Sequence, residues 1–168
     1  MTTSDNYPRT HRFILALFIL TSASLSSTLV AQNTLTWHTF EDALTVADST
    51  NKPILVDVWA PWCGWCHKMK RDVYPELSKE LSKNFILTRI NRENNETDYF
   101  YKERLVTPLM LAKLLHIDTV PGIVFLNSKG DYLTNVSGYI QAQNLKPILK
   151  YISTETYKMS SYQDFLNK

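Results

Sequence analysis

The sequence predicts an α/β fold with a central mixed sheet, helices on both faces of the sheet, and a C-terminal β-hairpin plus helix. Residues 54–59 form a nearly continuous apolar run rich in β-branched side chains, which is typical of a strand covered on both faces. Strand and helix patterns alternate over most of the chain, and such crossovers imply parallel strand pairs. Residues 123–126 and 132–136 flank a turn that ends in Gly130, which predicts an antiparallel hairpin.

The first elements are a short strand over residues 35–38 and a helix over residues 40–48. Thr39 suits the N-cap of that helix, because its hydroxyl can accept a hydrogen bond from a backbone N–H of the first turn. The strand over residues 54–59 follows, and Asp57 is its one charged residue.

A second helix is predicted from about Cys63 to Val73. Proline lacks a backbone N–H, so we expect Tyr74 and Pro75 to break this helix and Pro75 to begin another that continues through Leu81. The next strand is expected over residues 85–91.

The later segments have less regular patterns. Residues 92–104 are polar and aromatic, and we expect a loop with some helix there. Thr107 and the proline after it are a good helix start. Residues 141–152 predict the last helix, which Pro147 should distort or shift. The tail that follows is expected either to dock as a short helix or to fray.

The N-terminus has the pattern of a secretory signal peptide. Arg9 and Arg12 precede an apolar run over residues 13–20, and small residues follow over residues 21–31. Ala31 suits the last position before cleavage. The alternative is an uncleaved membrane anchor, but the apolar run is shorter than the ~20 residues that a membrane-spanning helix needs.

The expected domain organisation is therefore a cleaved signal peptide over residues 1–31, a domain over residues 32–153, and a C-terminal tail over residues 154–168. Cleavage would place the protein in the periplasm or outside the cell.

Cys63 and Cys66 are the only cysteines of the 168-residue chain. Residues three apart in a helical turn lie on the same side, at a separation compatible with the ~5.5 Å Cα distance of a disulfide. Cys63 would face the unpaired N–H groups of the helix N-terminus, which stabilise a nucleophilic thiolate. Cys66 could then resolve a mixed disulfide. Trp62 and Trp65 are expected to cover the site and leave one sulfur accessible.

The pentapeptide Trp-Cys-Gly-Trp-Cys at residues 62–66, placed between a strand and a helix, resembles the active-site motif of the thioredoxin superfamily. The resemblance extends over residues 35–152. It implies a thioredoxin fold and a redox-active Cys63–Cys66 disulfide. It also implies that Val120 and Pro121 form a cis-proline loop that lies against the motif. Together with Trp62, Gly64 and Trp65, this loop would shape the groove for substrate.

The resemblance also implies that Asp57 and Arg89 belong to the site. Thioredoxins carry a buried carboxylate behind the second cysteine, where Asp57 stands, and many carry a lysine where Arg89 stands. Burial raises the pKa of a carboxylate, which suits a base that takes the proton of Cys66. The alternative for Asp57 is a solvated side chain or one bonded to Arg89. The alternative for Pro121 is an ordinary trans proline.

Some features depart from cytoplasmic thioredoxins. Gly64 and Trp65 stand between the cysteines where those proteins have Gly-Pro, and residues 92–104 form a long insertion. With the signal peptide, these features resemble exported bacterial thioredoxin-like proteins and the thioredoxin domains of periplasmic disulfide reductases.

Three other interpretations compete. Cys63, Cys66 and His67 also match the attachment sequence of c-type haem, with His67 as proximal ligand. The strand before the motif and the hairpin after it are unexplained by haem. A zinc site lacks a fourth ligand. A non-catalytic binding module with a structural disulfide is a third possibility, although Cys-x-x-Cys bridges are usually labile.

We therefore expect an exported thiol–disulfide oxidoreductase that acts as a monomer and needs no organic cofactor or metal. Its partners would be protein thiols and disulfides and a redox partner protein. The net charge of +2 is too small to indicate nucleic acid.

Overall fold

The computed structural model describes residues 34–167, so the predicted signal peptide over residues 1–31 lies outside the described residues. The strands are β1 (Trp37–His38), β2 (Ile54–Trp59), β3 (Ile86–Asn91), β4 (Tyr99–Tyr101), β5 (Arg104–Val106), β6 (Gly122–Leu126) and β7 (Tyr132–Ser137).

The central sheet has the strand order β1-β3-β2-β6-β7. β1, β3 and β2 pair in parallel, whereas β2 with β6 and β6 with β7 pair antiparallel. The sheet is therefore mixed and ends in a β-hairpin, as the element pattern predicts. β4 and β5 form a separate two-stranded sheet.

The helices are α1 (Phe40–Thr50), α2 (Gly64–Lys68), a π-helical turn (Met69–Val73), α3 (Tyr74–Glu76), α4 (Ser78–Asn84), α5 (Pro108–Leu114), α6 (Ala142–Ser153), a 3₁₀ turn (Thr156–Lys158) and α7 (Tyr162–Leu166). α2, the π-helical turn and α3 are contiguous, and we call residues 64–76 the dithiol helix. None of the helices in the described part of the chain is long and apolar enough to cross a membrane.

Helices cover both faces of the sheet because β2 is apolar on both sides. Ile54, Val56 and Val58 belong to a core shared with α1 and α5. Leu55 belongs to a second core shared with the dithiol helix, α4 and α6. Successive side chains of a strand point to opposite faces, so Asp57 lies on the same face as Leu55. This alternation directs Asp57 towards the dithiol helix.

Two predicted N-caps are confirmed. The Thr39 hydroxyl accepts a hydrogen bond from the N–H of Asp42 at 3.1 Å, and the Thr107 hydroxyl accepts one from the N–H of Met110 at 3.3 Å. These bonds satisfy N–H groups that a helix start leaves without a partner.

The predicted helix break at Tyr74 and Pro75 is wrong. The N–H of Tyr74 donates to the carbonyl of Met69, five residues back, and the helical path continues to Glu76. The chain leaves this path at Leu77, with φ −99° and ψ 11°. A π-helical turn adds one residue to the ladder just before the proline, so the missing N–H of Pro75 is accommodated inside a helix. Likewise, α6 continues past Pro147 without the expected shift of its bounds.

The prediction for residues 92–104 is confirmed only in part: residues 92–98 form a loop, but β4 and the start of the β4–β5 hairpin follow, and the segment contains no helix. Lys102 and Glu103 form the turn with φ of 49° and 62°, a left-handed conformation that glycine and asparagine favour. The hairpin is anchored by Tyr101, whose hydroxyl donates to the carbonyl of Gly130 at 2.9 Å.

The C-terminal tail docks on α6. The hydroxyl of Tyr151 donates to the carbonyl of Ser160 at 2.7 Å. The Tyr151 ring also lies 5.2 Å from the ring of Tyr162 and 5.3 Å from that of Phe165. Of the two outcomes expected for this tail, the structure thus shows the docked helix.

Candidate active site

The two cysteines lie where β2 passes into the dithiol helix. Cys63 is the N-cap, and its sulfur accepts a hydrogen bond from the N–H of Cys66 at 3.1 Å. The two sulfurs are joined in a disulfide, with the Cα atoms 5.2 Å apart. The sulfur of Cys63 therefore lies at the positive end of the helix, where backbone N–H groups and the helix dipole stabilise a thiolate after reduction.

Trp62 and Trp65 are largely exposed to solvent, and their cover of the sulfurs stays a prediction. They are 68% and 58% exposed, whereas Cys63 and Cys66 are only 4% and 2% exposed. The cysteines are instead packed with Ala60 and beside Trp59 and Val120. Trp62 precedes the N-cap Cys63, whereas Trp65 is in the first turn of α2, with its ring 4.9 Å from the ring of Tyr139. The two tryptophans offer an apolar surface next to the sulfurs.

The loop before β6 lies against the dithiol, as the resemblance implies. The Val120–Pro121 peptide bond is cis. Val120 packs against the cluster that contains both cysteines, and the carbonyl of Pro121 accepts a hydrogen bond from the N–H of Gly138 at 2.8 Å. The loop is thereby tied to the end of β7.

Asp57 is buried and holds two side-chain donors, one on each oxygen. The Arg89 Nε donates to Oδ2 at 2.7 Å, and the Tyr74 hydroxyl donates to Oδ1 at 2.8 Å. We call these three residues the Asp57 cluster. Asp57 and Arg89 are partners in the parallel β2–β3 register, so their side chains emerge side by side on the same face. The bond to Arg89 that was expected under the alternative to a base role is therefore present, and the base role itself stays a prediction.

Arg89 is held by aromatic rings as well as by the carboxylate. Its guanidinium lies 5.2 Å from the ring centroid of Trp37 and 4.9 Å from that of Trp59. Its side chain is 19% exposed. Stacking between two indoles orients the guanidinium, and it also excludes water from one side of the ion pair.

The electrostatics of the cluster follow from its burial. Burial raises the pKa of Asp57, and the Arg89 charge and the Tyr74 hydrogen bond only partly oppose this rise. Burial, together with the neighbouring carboxylate, raises the pKa of Tyr74 well above 10.0. Tyr74 therefore remains a neutral hydrogen-bond donor, while Asp57 is a carboxylate that accepts a proton more readily than usual.

Sequence reasoning missed Tyr74. Its position depends on the π-helical turn, because the additional residue in that turn changes which side chains after Met69 face the sheet. The available signal was Pro75, which we interpreted as a helix break.

His67 lies on the exposed side of the dithiol helix. Its Nε2 is 2.8 Å from the carbonyl oxygen of Pro61, and its ring lies 6.4 Å from that of Trp59. Both cysteines belong to a buried cluster at the end of a central strand. This context favours a dithiol over covalent attachment of haem, which would need both sulfurs at the edge of a porphyrin.

Asp57→Asn should change how stability depends on pH. Because the pKa of Asp57 is raised in the folded protein above its ordinary value of 3.8, the folded state binds the proton more tightly. The resulting stabilisation is present below pH 3.8 and is lost as pH rises through the folded pKa. Relative to Asp57→Asn, the free energy of unfolding of the oxidised wild type should fall by up to about 1.4 kcal/mol per pH unit in this window.

Urea denaturation between pH 3.5 and 8 measures this difference, and Asp131→Asn is the matched control. Hydrogen bonding from Asn127 lowers the pKa of Asp131. The free energy of unfolding of the wild type relative to Asp131→Asn should therefore rise with pH. A flat difference for Asp57→Asn would contradict the raised pKa.

Comparison with known proteins supports these features. A family model described as a thioredoxin-like domain matches residues 40–153. The thioredoxin of Pyropia yezoensis is 38% identical over 78 residues, which is 45% of this chain and 72% of that protein. Thioredoxin 1 of Synechococcus elongatus is 36% identical over 92 residues, which is 49% of this chain and 85% of that protein.

Two solved structures share the fold. A thioredoxin-fold protein from Helicobacter pylori aligns with a TM-score of 0.60 at 20% identity, over 70% of this chain and 80% of that chain. The DsbH oxidoreductase aligns with a TM-score of 0.60 at 16% identity, over 89% of this chain and 94% of that chain. The predicted thioredoxin fold is thus confirmed. With its Cys-x-x-Cys pair and the family match over most of its length, this chain belongs to the thioredoxin-like domain family and is a thiol–disulfide oxidoreductase.

Proposed function

We propose that this protein exchanges disulfides with other proteins through Cys63 and Cys66 outside the cytoplasm. The observation that carries the proposal is the position of the Cys63 sulfur at the start of the dithiol helix, with the buried Asp57 carboxylate hydrogen-bonded to Tyr74 of the same helix. The Cys63 sulfur supplies a nucleophile, and the Asp57 carboxylate supplies a base.

In the reducing direction, the Cys63 thiolate attacks one sulfur of a substrate disulfide. The substrate S–S bond breaks, a mixed disulfide forms, and the first substrate thiolate leaves. The Cys66 thiol then gives its proton to the Asp57 carboxylate and attacks the Cys63 sulfur, which releases the second substrate thiolate. The substrate gains two electrons, and the Cys63–Cys66 disulfide is restored. The reverse sequence oxidises a substrate dithiol.

The surface around the sulfurs suits an extended polypeptide. Trp62 and Trp65 offer exposed apolar rings on one side, and the Val120–Pro121 loop borders the other side. Gly64 separates Cys63 from Trp65 in the chain, and an added Cβ there would meet no atom within 4 Å apart from its chain neighbours and its own helix backbone. A substrate strand could therefore lie across the dithiol, with its backbone beside the loop and its side chains against the tryptophans.

The proposed function also requires a redox partner protein and export from the cytoplasm. A monomer with this single dithiol needs a second redox protein to return it to its starting state after each turnover. We propose that residues 1–31 direct export and are removed after Ala31, which leaves a mature chain beginning at Gln32. The charge and small-residue pattern of the segment supports this proposal.

Single cysteine variants test the exchange reaction. In insulin-disulfide reduction, Cys63→Ser should have no activity because the nucleophile is lost. Cys66→Ser should stop at the mixed disulfide, which non-reducing electrophoresis detects as a covalent adduct with the substrate. An adduct that forms equally well with Cys63→Ser would contradict the assigned order of attack.

The reduction potential, measured with glutathione buffers, separates this function from a binding module with a structural disulfide. An oxidoreductase should have a potential above about −300 mV, within the ~−270 to −120 mV range of redox-active pairs. A potential below that limit, combined with inactivity of the wild type towards insulin, would favour the binding module.

Export is tested by expressing the full chain in a Gram-negative bacterium. Mass spectrometry of the protein from the periplasmic fraction should find Gln32 as the first residue. Recovery of the uncleaved chain from the membrane fraction would support the anchor alternative, and recovery from the cytoplasm would contradict export.

A further inference from the structure

We propose that Tyr74 is a positioning residue for disulfide exchange, because its hydroxyl holds one oxygen of Asp57 while Arg89 holds the other. This inference rests on the proposed role of Asp57 as the base for Cys66. It assigns a function to a buried tyrosine that the reaction sequence above does not use.

The geometry of the hydrogen bonds supports this role. A carboxylate held by one donor alone can rotate about its last side-chain bond, whereas donors on both oxygens fix its plane. Tyr74 donates to Oδ1 at 2.8 Å from the dithiol helix, and Arg89 donates to Oδ2 at 2.7 Å from β3. The Asp57 carboxylate is thus held between the helix that carries Cys66 and the sheet.

The Tyr74 ring is itself held in place. It is almost completely buried and makes an edge-on contact with Trp37, with ring centroids 5.6 Å apart. Trp37 also stacks on Arg89, so one indole braces both donors. The π-helical turn directs Tyr74 towards the sheet, and π-helical turns occur frequently at functional sites.

The charges around Asp57 come from two elements. Arg89 faces it from β3, Lys70 acts on it from the dithiol helix, and β6 presents the apolar Ile123 as its register partner. Both cations lower the pKa of Asp57, and so does the Tyr74 hydrogen bond. Removing the hydroxyl leaves the two cations unchanged, so the pKa of Asp57 should rise further.

The test isolates the step in which Cys66 attacks. Reduced protein is mixed with an equimolar amount of the aromatic disulfide DTNB, and Cys63 captures one thionitrobenzoate as a mixed disulfide. Cys66 then displaces it, and the absorbance of the second thionitrobenzoate gives the rate of that step by stopped flow. The rate of this step is measured as a function of pH from 4 to 9 for wild type, Tyr74→Phe and Asp57→Asn, which gives a pH–rate profile for each.

Tyr74→Phe should move the acidic limb of the profile to higher pH. It should slow the step about three- to tenfold on that limb, the effect expected from one lost hydrogen bond. At high pH, where Asp57 is ionised in both proteins, Tyr74→Phe should remain slower than wild type, because only one oxygen of its Asp57 carboxylate is then held. Asp57→Asn should lack this limb.

Tyr101→Phe is the matched control, because it also loses a buried hydroxyl hydrogen bond, to the carbonyl of Gly130 on the other side of the sheet. It should keep the wild-type profile. If Tyr74→Phe fails to fold, 3-fluorotyrosine placed at position 74 keeps the ring and the bond and makes the hydroxyl a stronger donor. It should move the limb to lower pH.

The outcomes distinguish the two proposals. A wild-type profile for Tyr74→Phe, with the limb lost in Asp57→Asn, would overturn the role of Tyr74 and leave the role of Asp57 standing. A wild-type profile for Asp57→Asn would overturn both. If 3-fluorotyrosine leaves the limb in place, or if Tyr101→Phe moves it as far as Tyr74→Phe does, the positioning role is likewise wrong.

Discussion

The buried carboxylate of Asp57 is stable only because several elements around the dithiol place hydrogen-bonding and aromatic side chains beside it. Arg89 and Tyr74 are the two donors. The parallel register of β2 and β3 must place Asp57 and Arg89 side by side. The dithiol helix must contain a π-helical turn for Tyr74 to reach the same carboxylate. β1 must supply Trp37, which contacts both donors. In addition to the apolar core that they share, the sheet and the dithiol helix are therefore linked through one buried carboxylate, and a buried charge without these partners would be strongly destabilising.

Burial and hydrogen bonding act in opposite directions on the Asp57 carboxyl. Burial favours the protonated carboxyl, and the two donors favour the carboxylate, so the pKa is set by a balance of opposing effects. The sulfur of Cys63 has a different environment, because backbone N–H groups at the start of the helix, rather than a charged side chain, stabilise its thiolate. The Cys63 sulfur thus lies at a helix terminus, whereas Asp57 is held from both the sheet and the dithiol helix.

Local signals in the sequence were sufficient for much of this architecture. The apolar run of β2, the capping threonine before α1 and the spacing of the cysteines each determine structure over a few residues, and their predictions agree with the fold. The misses depend on context. The β4–β5 hairpin turns at Lys102 and Glu103, which carry none of the usual turn chemistry. Tyr74 was missed because its partner is 17 residues away and a proline beside it suggested a break.

The protonation of Asp57 is the central quantity in this account, and nuclear magnetic resonance measures it directly. Protein labelled with ¹³C at the aspartate side-chain carboxyl carbons would be titrated in the oxidised and reduced states, with the Asp57→Asn variant used to assign the resonance. We predict that the Asp57 carboxyl titrates above its ordinary value of 3.8 in both states, and that Tyr74→Phe moves the midpoint higher still. A midpoint at or below the ordinary value in wild type would contradict the account, because Asp57 would then be a permanently charged ion-pair partner rather than a proton acceptor.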